Sequence, residues 1–124
     1  MQNEFELIKP KNVMVKDGKG VEKEFVISLF PESVGPKILA SYPLSNPKNI
    51  ADYSSFEPIY LIFQYVGVPV ENGGILRLET PLLLQNHVLD IEQLIRLEFE
   101  MLQYNYPKEE NKFTLSVRVI ENEN

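Results

Sequence analysis

Cysteine and tryptophan are absent from this 124-residue chain, and histidine occurs once. Without cysteine there can be no disulfide, no thiolate metal site and no cysteine nucleophile. A lone histidine, His87, leaves the usual zinc ligand sets unfilled. Long hydrophobic runs are missing too. The longest nearly uncharged stretch, "PIYLIFQYVGVPV", covers Pro58 to Val70 and is too short to span a bilayer. The opening "MQNEFELIKPKN" has no apolar run behind a basic start, so a signal peptide is not expected. These absences point to a soluble, cytoplasmic protein without cofactors or metals.

Positive charge is also in deficit, with 12 Lys and Arg against 18 Asp and Glu, a net charge of −6. Phosphate backbones are bound mainly through neutralisation by basic side chains, so the field of the whole chain opposes nucleic acid. Lys9, Lys11, Lys16, Lys19 and Lys23 gather early, but Glu4, Glu6, Asp17, Glu22 and Glu24 interleave with them. That mixture reads as a solvated hairpin. What is present is ordinary globular composition, 44% hydrophobic and 24% charged, enough for one domain over residues 1–124.

The hydrophobic periodicity predicts an α+β domain. Val13 and Val15, then Asp17-Gly18-Lys19-Gly20, then Phe25 and Ile27 describe a β-hairpin. Residues 1–11 are expected to form a loose arm or a short added strand. In "FPESVGPKILASYP", Pro36 would remove a hydrogen bond deep inside a helix, so the helix must begin late, near Val34, or bend; Pro43 ends it. Ser54-Ser55-Phe56-Glu57 reads as a capping box for a central helix carrying Ile59, Ile62, Phe63 and Val66. Asn72-Gly73-Gly74 marks a second hairpin that continues into Ile75, Leu76 and Leu78.

Thr80-Pro81 opens a short helix to about Asn86, and Asp90 caps the strongest helix, Ile91 to about Tyr104. Its core stripe is Ile91, Leu94, Ile95, Met101 and Leu102, while Arg96 with Glu92 and Glu100 lies on a solvated face. Phe113, Leu115, Val117 and Val119 alternate with polar residues in a C-terminal strand, and residues 121–124 form a disordered tail. The expected fold is a single small domain of two β-hairpins plus that strand, packed with three or four helices.

No constellation for catalysis emerges. His87 has no second histidine or cysteine beside it, and its pairing with Asp90 reads as a lock on the turn between two helices. Asp90 with Glu92, and Glu98 with Glu100, are two apart on a helix and cannot face one substrate atom. Gly73-Gly74 lacks the flanking residues of a phosphate cradle. An enzyme is not expected. What remains is surface: Leu97, Phe99 and Tyr104 fall outside the narrowest core stripe, and with Met101 and Tyr106 they form a candidate partner-binding face.

Phe30-Pro31, Tyr42-Pro43, the helix and valine-rich strand from Ser54 to Val70, Asn86-His87, and Leu97 to Asn105 form a series that covers roughly Lys23 to Asn105. It resembles small proteins from the tail-gene clusters of tailed bacteriophages and prophages, of the tail assembly chaperone type. Pro36 and Ile91 depart from that pattern, which has a helix-friendly residue and a tryptophan there. The resemblance implies a non-enzymatic protein that binds tail proteins such as the tape measure and keeps their apolar helices soluble in the infected cell. An alternative is a structural virion protein, a tail completion or baseplate subunit that assembles as a homo-oligomeric ring through a strand edge or an arm. A host-directed inhibitor mimicking an acidic surface ranks last, because the negative charge is scattered.

Overall fold

A computed structural model describes residues 7–40 and 57–107. Four strands make one antiparallel sheet: β1 (Ile8–Lys16), β2 (Glu22–Leu29), β3 (Gly67–Pro69) and β4 (Ile75–Arg77), in the order β1-β2-β3-β4. The helices are α1 (Gly35–Ala40), α2 (Glu57–Phe63), α3 (Pro81–His87) and α4 (Ile91–Asn105). This is the small α+β domain that the periodicity predicts. The capping box at Ser54, the Pro43 helix end, the strand from Phe113 to Val119 and the 121–124 tail lie outside the described residues.

The first hairpin closes as its turn residues require. Gly20 N–H donates to the Asp17 carbonyl at 3.1 Å and Asp17 N–H donates to Val21 at 2.9 Å, the pattern of a three-residue loop ending in a bulge. Gly20 sits at φ 87°, a left-handed conformation that a side chain would resist. The Asp17 carboxylate accepts from the Lys19 and Val21 amides, both at 2.8 Å, and so stiffens the loop from inside.

Of the two readings left open for residues 1–11, a loose arm or a short added strand, residues 8–11 follow the strand and belong to β1. Ile8 pairs with Leu29 and Lys11 with Ile27, three steps on one strand against two on the other, so one extra residue bulges out of β1. Lys9 takes up that excess with φ 48°. At the other side of the sheet, Val26 pairs with Gly67. A Cβ on Gly67 would lie 2.9 Å from the Leu76 carbonyl oxygen, so the strands can approach only because none is there.

Helix α1 begins at Gly35, after a turn in which the Val34 and Gly35 amides donate to the Pro31 carbonyl. Pro36 thus falls in the first turn, where a missing N–H costs nothing. Thr80 Oγ1 accepts from Leu83 N–H at 3.1 Å and caps α3, with Pro81 as its first residue. Arg77 donates through Nε and Nη2 to the Gln64 carbonyl just beyond α2, placing a cation where the helix exposes unpaired carbonyls.

The core sits between the sheet and α4. Val15, Phe25 and Ile27 from the hairpin meet Ile62, Phe63 and Val66 around the end of α2, and Leu94, Ile95, Leu97, Met101 and Leu102 of α4. At 100° per residue the buried positions of α4, Gln93 round to Ile95, span roughly 200° of its circumference. The helix is therefore sunk into the domain rather than laid on it. Gln93 and Glu98 are fully buried with it.

Polar clips hold α4 at both ends. Asp90 accepts from Gln93 N–H with one oxygen and from Gly18 N–H with the other, each at 2.9 Å. Gln93 donates to the Val15 carbonyl at 2.9 Å and accepts from Leu89 N–H at 2.7 Å. At the far end Tyr104 Oη donates to the Lys9 carbonyl at 2.8 Å, and Asn105 joins the end of β2. Helix α4 thus runs from the hairpin turn back towards the start of β1, antiparallel to that strand. Among the described residues, no helix is long and apolar enough to cross a membrane.

Candidate protein-docking groove

A half-buried flank of α4 carries Arg96, Phe99 and Glu100, one turn of the helix at spacings of three and four. It overhangs the outer side of β1, and between them lies a groove of about 310 Å³ lined by Met14, Val15, Lys16, Glu22, Arg96, Phe99 and Glu100. Phe99 packs against the core and shows its remaining face to this groove, while Met14 is 55% exposed. The groove's lining is as polar as it is apolar, with Met14 and Phe99 among charged side chains of both signs.

The electrostatics of the rim follow from burial. Arg96 Nη2 lies 2.7 Å from Glu92 Oε2, four residues earlier, whereas its Nε is buried and meets no acceptor among the described residues. Burial on the helix flank pushes the Glu100 carboxyl above the usual carboxylate range, and the Lys11 charge partly restores it. Lys11 also lies over the Tyr104 ring, 5.5 Å from its centroid, a cation–π approach.

The five residues expected to form a partner face do not form one. Leu97 and Met101 are fully buried within the chain, so neither can meet a partner while the fold is intact. Tyr104 is committed to the Lys9 carbonyl. Tyr106 packs on Phe30, ring centroids 6.2 Å apart, and burial raises its phenol above the usual range. Phe99 alone lines the groove. The sequence-based reading missed Met14, Lys16 and Glu22 because they belong to the sheet, and only the hairpin brings them beside α4.

The expected lock between His87 and Asp90 is also replaced. Both Asp90 oxygens are engaged by the Gly18 and Gln93 amides, so the aspartate ties the hairpin to the helix instead. The His87 carbonyl accepts from Lys23 Nζ, which places a cation at the C-terminal end of α3. Burial holds the His87 imidazole below its ordinary pKa, and the Lys23 charge lowers it further. Burial likewise lowers the Lys23 amine. Among the described residues, no group of three or more His, Cys, Asp or Glu stands close enough to hold a metal ion.

No family model, curated protein or solved structure matches this chain. The groove beside β1 and α4 is the site to which the geometry leads.

Proposed function

We propose that this chain is a non-enzymatic protein-binding module that acts as a tail assembly chaperone of a tailed bacteriophage or prophage. Its partner in that reading is the tape-measure protein or another tail protein, held soluble in the cytoplasm of the infected host until assembly. The observation that supports it is the groove, in which Met14 and the half-buried Phe99 stand among charged side chains of both signs beside a clipped helix. A holdase needs such a surface on an acidic body, and no arrangement of nucleophile, base and acid.

Co-expression with the proteins of its gene neighbourhood tests the reading. A long helical tail protein that becomes soluble only with this chain, and loses that rescue with Met14→Ser and Phe99→Ser together, is the expected outcome. Failure to rescue any of those proteins would sink it. One observation favours a second reading: β1 is a sheet edge among the described residues, and such an edge suits a structural subunit joined to its neighbours. A subunit of that kind is found in purified particles in fixed copy number, whereas a chaperone is absent from them.

A further inference from the structure

The tip of the second hairpin is chemically unstable. Asparagine is followed directly by glycine at one place in the sequence, Asn72-Gly73, and residues 69–75 around it are all exposed. Val70 N–H donates to the Gly74 carbonyl and Gly73 N–H to the Val70 carbonyl, each at 3.0 Å, with Gly73 at φ 86°. Gly74 N–H donates to Asn72 Oδ1 at 3.1 Å. An asparagine side chain reacts when the next backbone nitrogen reaches its Cγ, and a glycine has no side chain to obstruct that approach. As the nitrogen adds, negative charge collects on Oδ1, where the Gly74 N–H already stands to stabilise it. The Gly73 N–H must first leave the Val70 carbonyl. Only a solvent-exposed turn between two three-residue strands holds it there, and such a tip opens at little cost.

We propose that Asn72 is a site of spontaneous deamidation in this protein. The Gly73 nitrogen gives up its proton and bonds to Asn72 Cγ, ammonia leaves, and a cyclic succinimide remains. Water then opens either carbonyl of the ring and returns aspartate or isoaspartate at position 72. Over the whole sequence a water enters and an ammonia departs, with no oxidation or reduction. Both products add negative charge beside Glu71, on a chain already at −6. Isoaspartate also routes the main chain through the former side-chain methylene. The turn then gains an atom, and the Val70–Gly74 pairing that its length fixes is lost. The other asparagines among the described residues each precede a residue with a side chain. Asn12 is held besides by Glu24, and Asn105 by the end of β2. Asn72 therefore reacts first, and the β3–β4 hairpin is where the molecule ages.

The test incubates the whole folded chain in mildly alkaline buffer at body temperature, beside a free peptide of residues 70–74. Peptide mapping by mass spectrometry locates each amide that has become a carboxyl, and enzymatic methylation counts the isoaspartate. The expected result is a mixture of aspartate and isoaspartate at position 72 before Asn12, Asn86 or Asn105 changes. Gly73→Ala should slow the reaction severalfold, even though a side chain at that φ loosens the turn. The isoaspartyl chain, separated by its added charge, should show faster amide exchange at Val70 and Gly73. Asn72 left intact while the free peptide reacts to completion would overturn the proposal, because the fold would then protect the site. So would earlier reaction at Asn12, Asn86 or Asn105, aspartate formed without isoaspartate, or a faster reaction in Gly73→Ala. Unchanged exchange at Val70 and Gly73 in the isoaspartyl chain would overturn the loss of pairing in the turn.

Discussion

Asn105 accepts the Phe30 amide on its Oδ1 at 2.8 Å while its Nδ2 donates to the Ser28 carbonyl at 3.1 Å. One side-chain amide therefore offers the end of β2 a donor and an acceptor two residues apart, as a neighbouring strand would. Its Nδ2 also reaches the Met101 carbonyl at 2.9 Å, in the last turn of α4. Asn105 is a joint between sheet and helix, and it orients the Phe30 ring between Tyr65 and Tyr106.

Replacing Asn105 with Ala should cost about 2–3 kcal/mol, because the Phe30 amide and the Ser28 carbonyl lose partners in a place with little access to water. Asn105→Asp should also destabilise, since it keeps an acceptor for Phe30 but sets a carboxylate against the Ser28 carbonyl. Urea unfolding of both variants measures this. A midpoint unchanged in Asn105→Ala would show that water replaces the clip freely.

Asp90→Ala removes a helix cap and the tie to the hairpin turn in one step. The cap alone is worth about 1 kcal/mol, with a range of roughly 0.5–2. The distinguishing effect is local: amide exchange at Gly18 should rise, because its acceptor is Asp90 Oδ2. Thr80→Ala, a cap without such a tie, should leave Gly18 unchanged.

The His87 imidazole gives the stability a pH dependence of known sign. Its pKa in the fold lies below the ordinary value of 6.5, so the unfolded chain binds the proton more readily. The contribution is fully present above about pH 6.5 and is lost as the pH falls below it. His87→Gln should flatten that part of the stability profile in thermal melts between neutral and mildly acidic pH. An equal slope in the variant would assign the effect to other groups.

Leu97 and Met14 separate folding from docking. Leu97 is fully buried in the core, and Leu97→Ala should cost about 2–5 kcal/mol. Met14 is more than half exposed, and Met14→Ser should change stability by no more than about 0.5 kcal/mol while weakening partner capture. Comparing melting temperature with capture for both variants checks the assignment. A Met14→Ser protein that captures its partner undiminished would remove the groove from consideration.

The local signals in the sequence were legible because they are short-range. Gly20 demands a left-handed turn, Thr80 and Asp90 can reach amides three residues ahead, and Pro36 tolerates only a first turn, so each announces itself within a few positions. What those signals do not contain is how the elements meet. Leu97 lies outside a narrow helical stripe, yet α4 is sunk so deep that its buried arc takes in Leu97, Gln93 and Glu98 as well. Asp90 looks like a partner for nearby His87, but its second oxygen goes to Gly18, 72 positions away. Tyr104 looks free for docking and is spent on Lys9, 95 positions away, at a bulge that no periodicity reveals. Composition, turns and caps were determined residue by residue through backbone preference and reach. The register of the sheet, the depth of α4 and the groove beside β1 were decided only when distant segments packed, because a contact between them depends on the geometry of both partners at once.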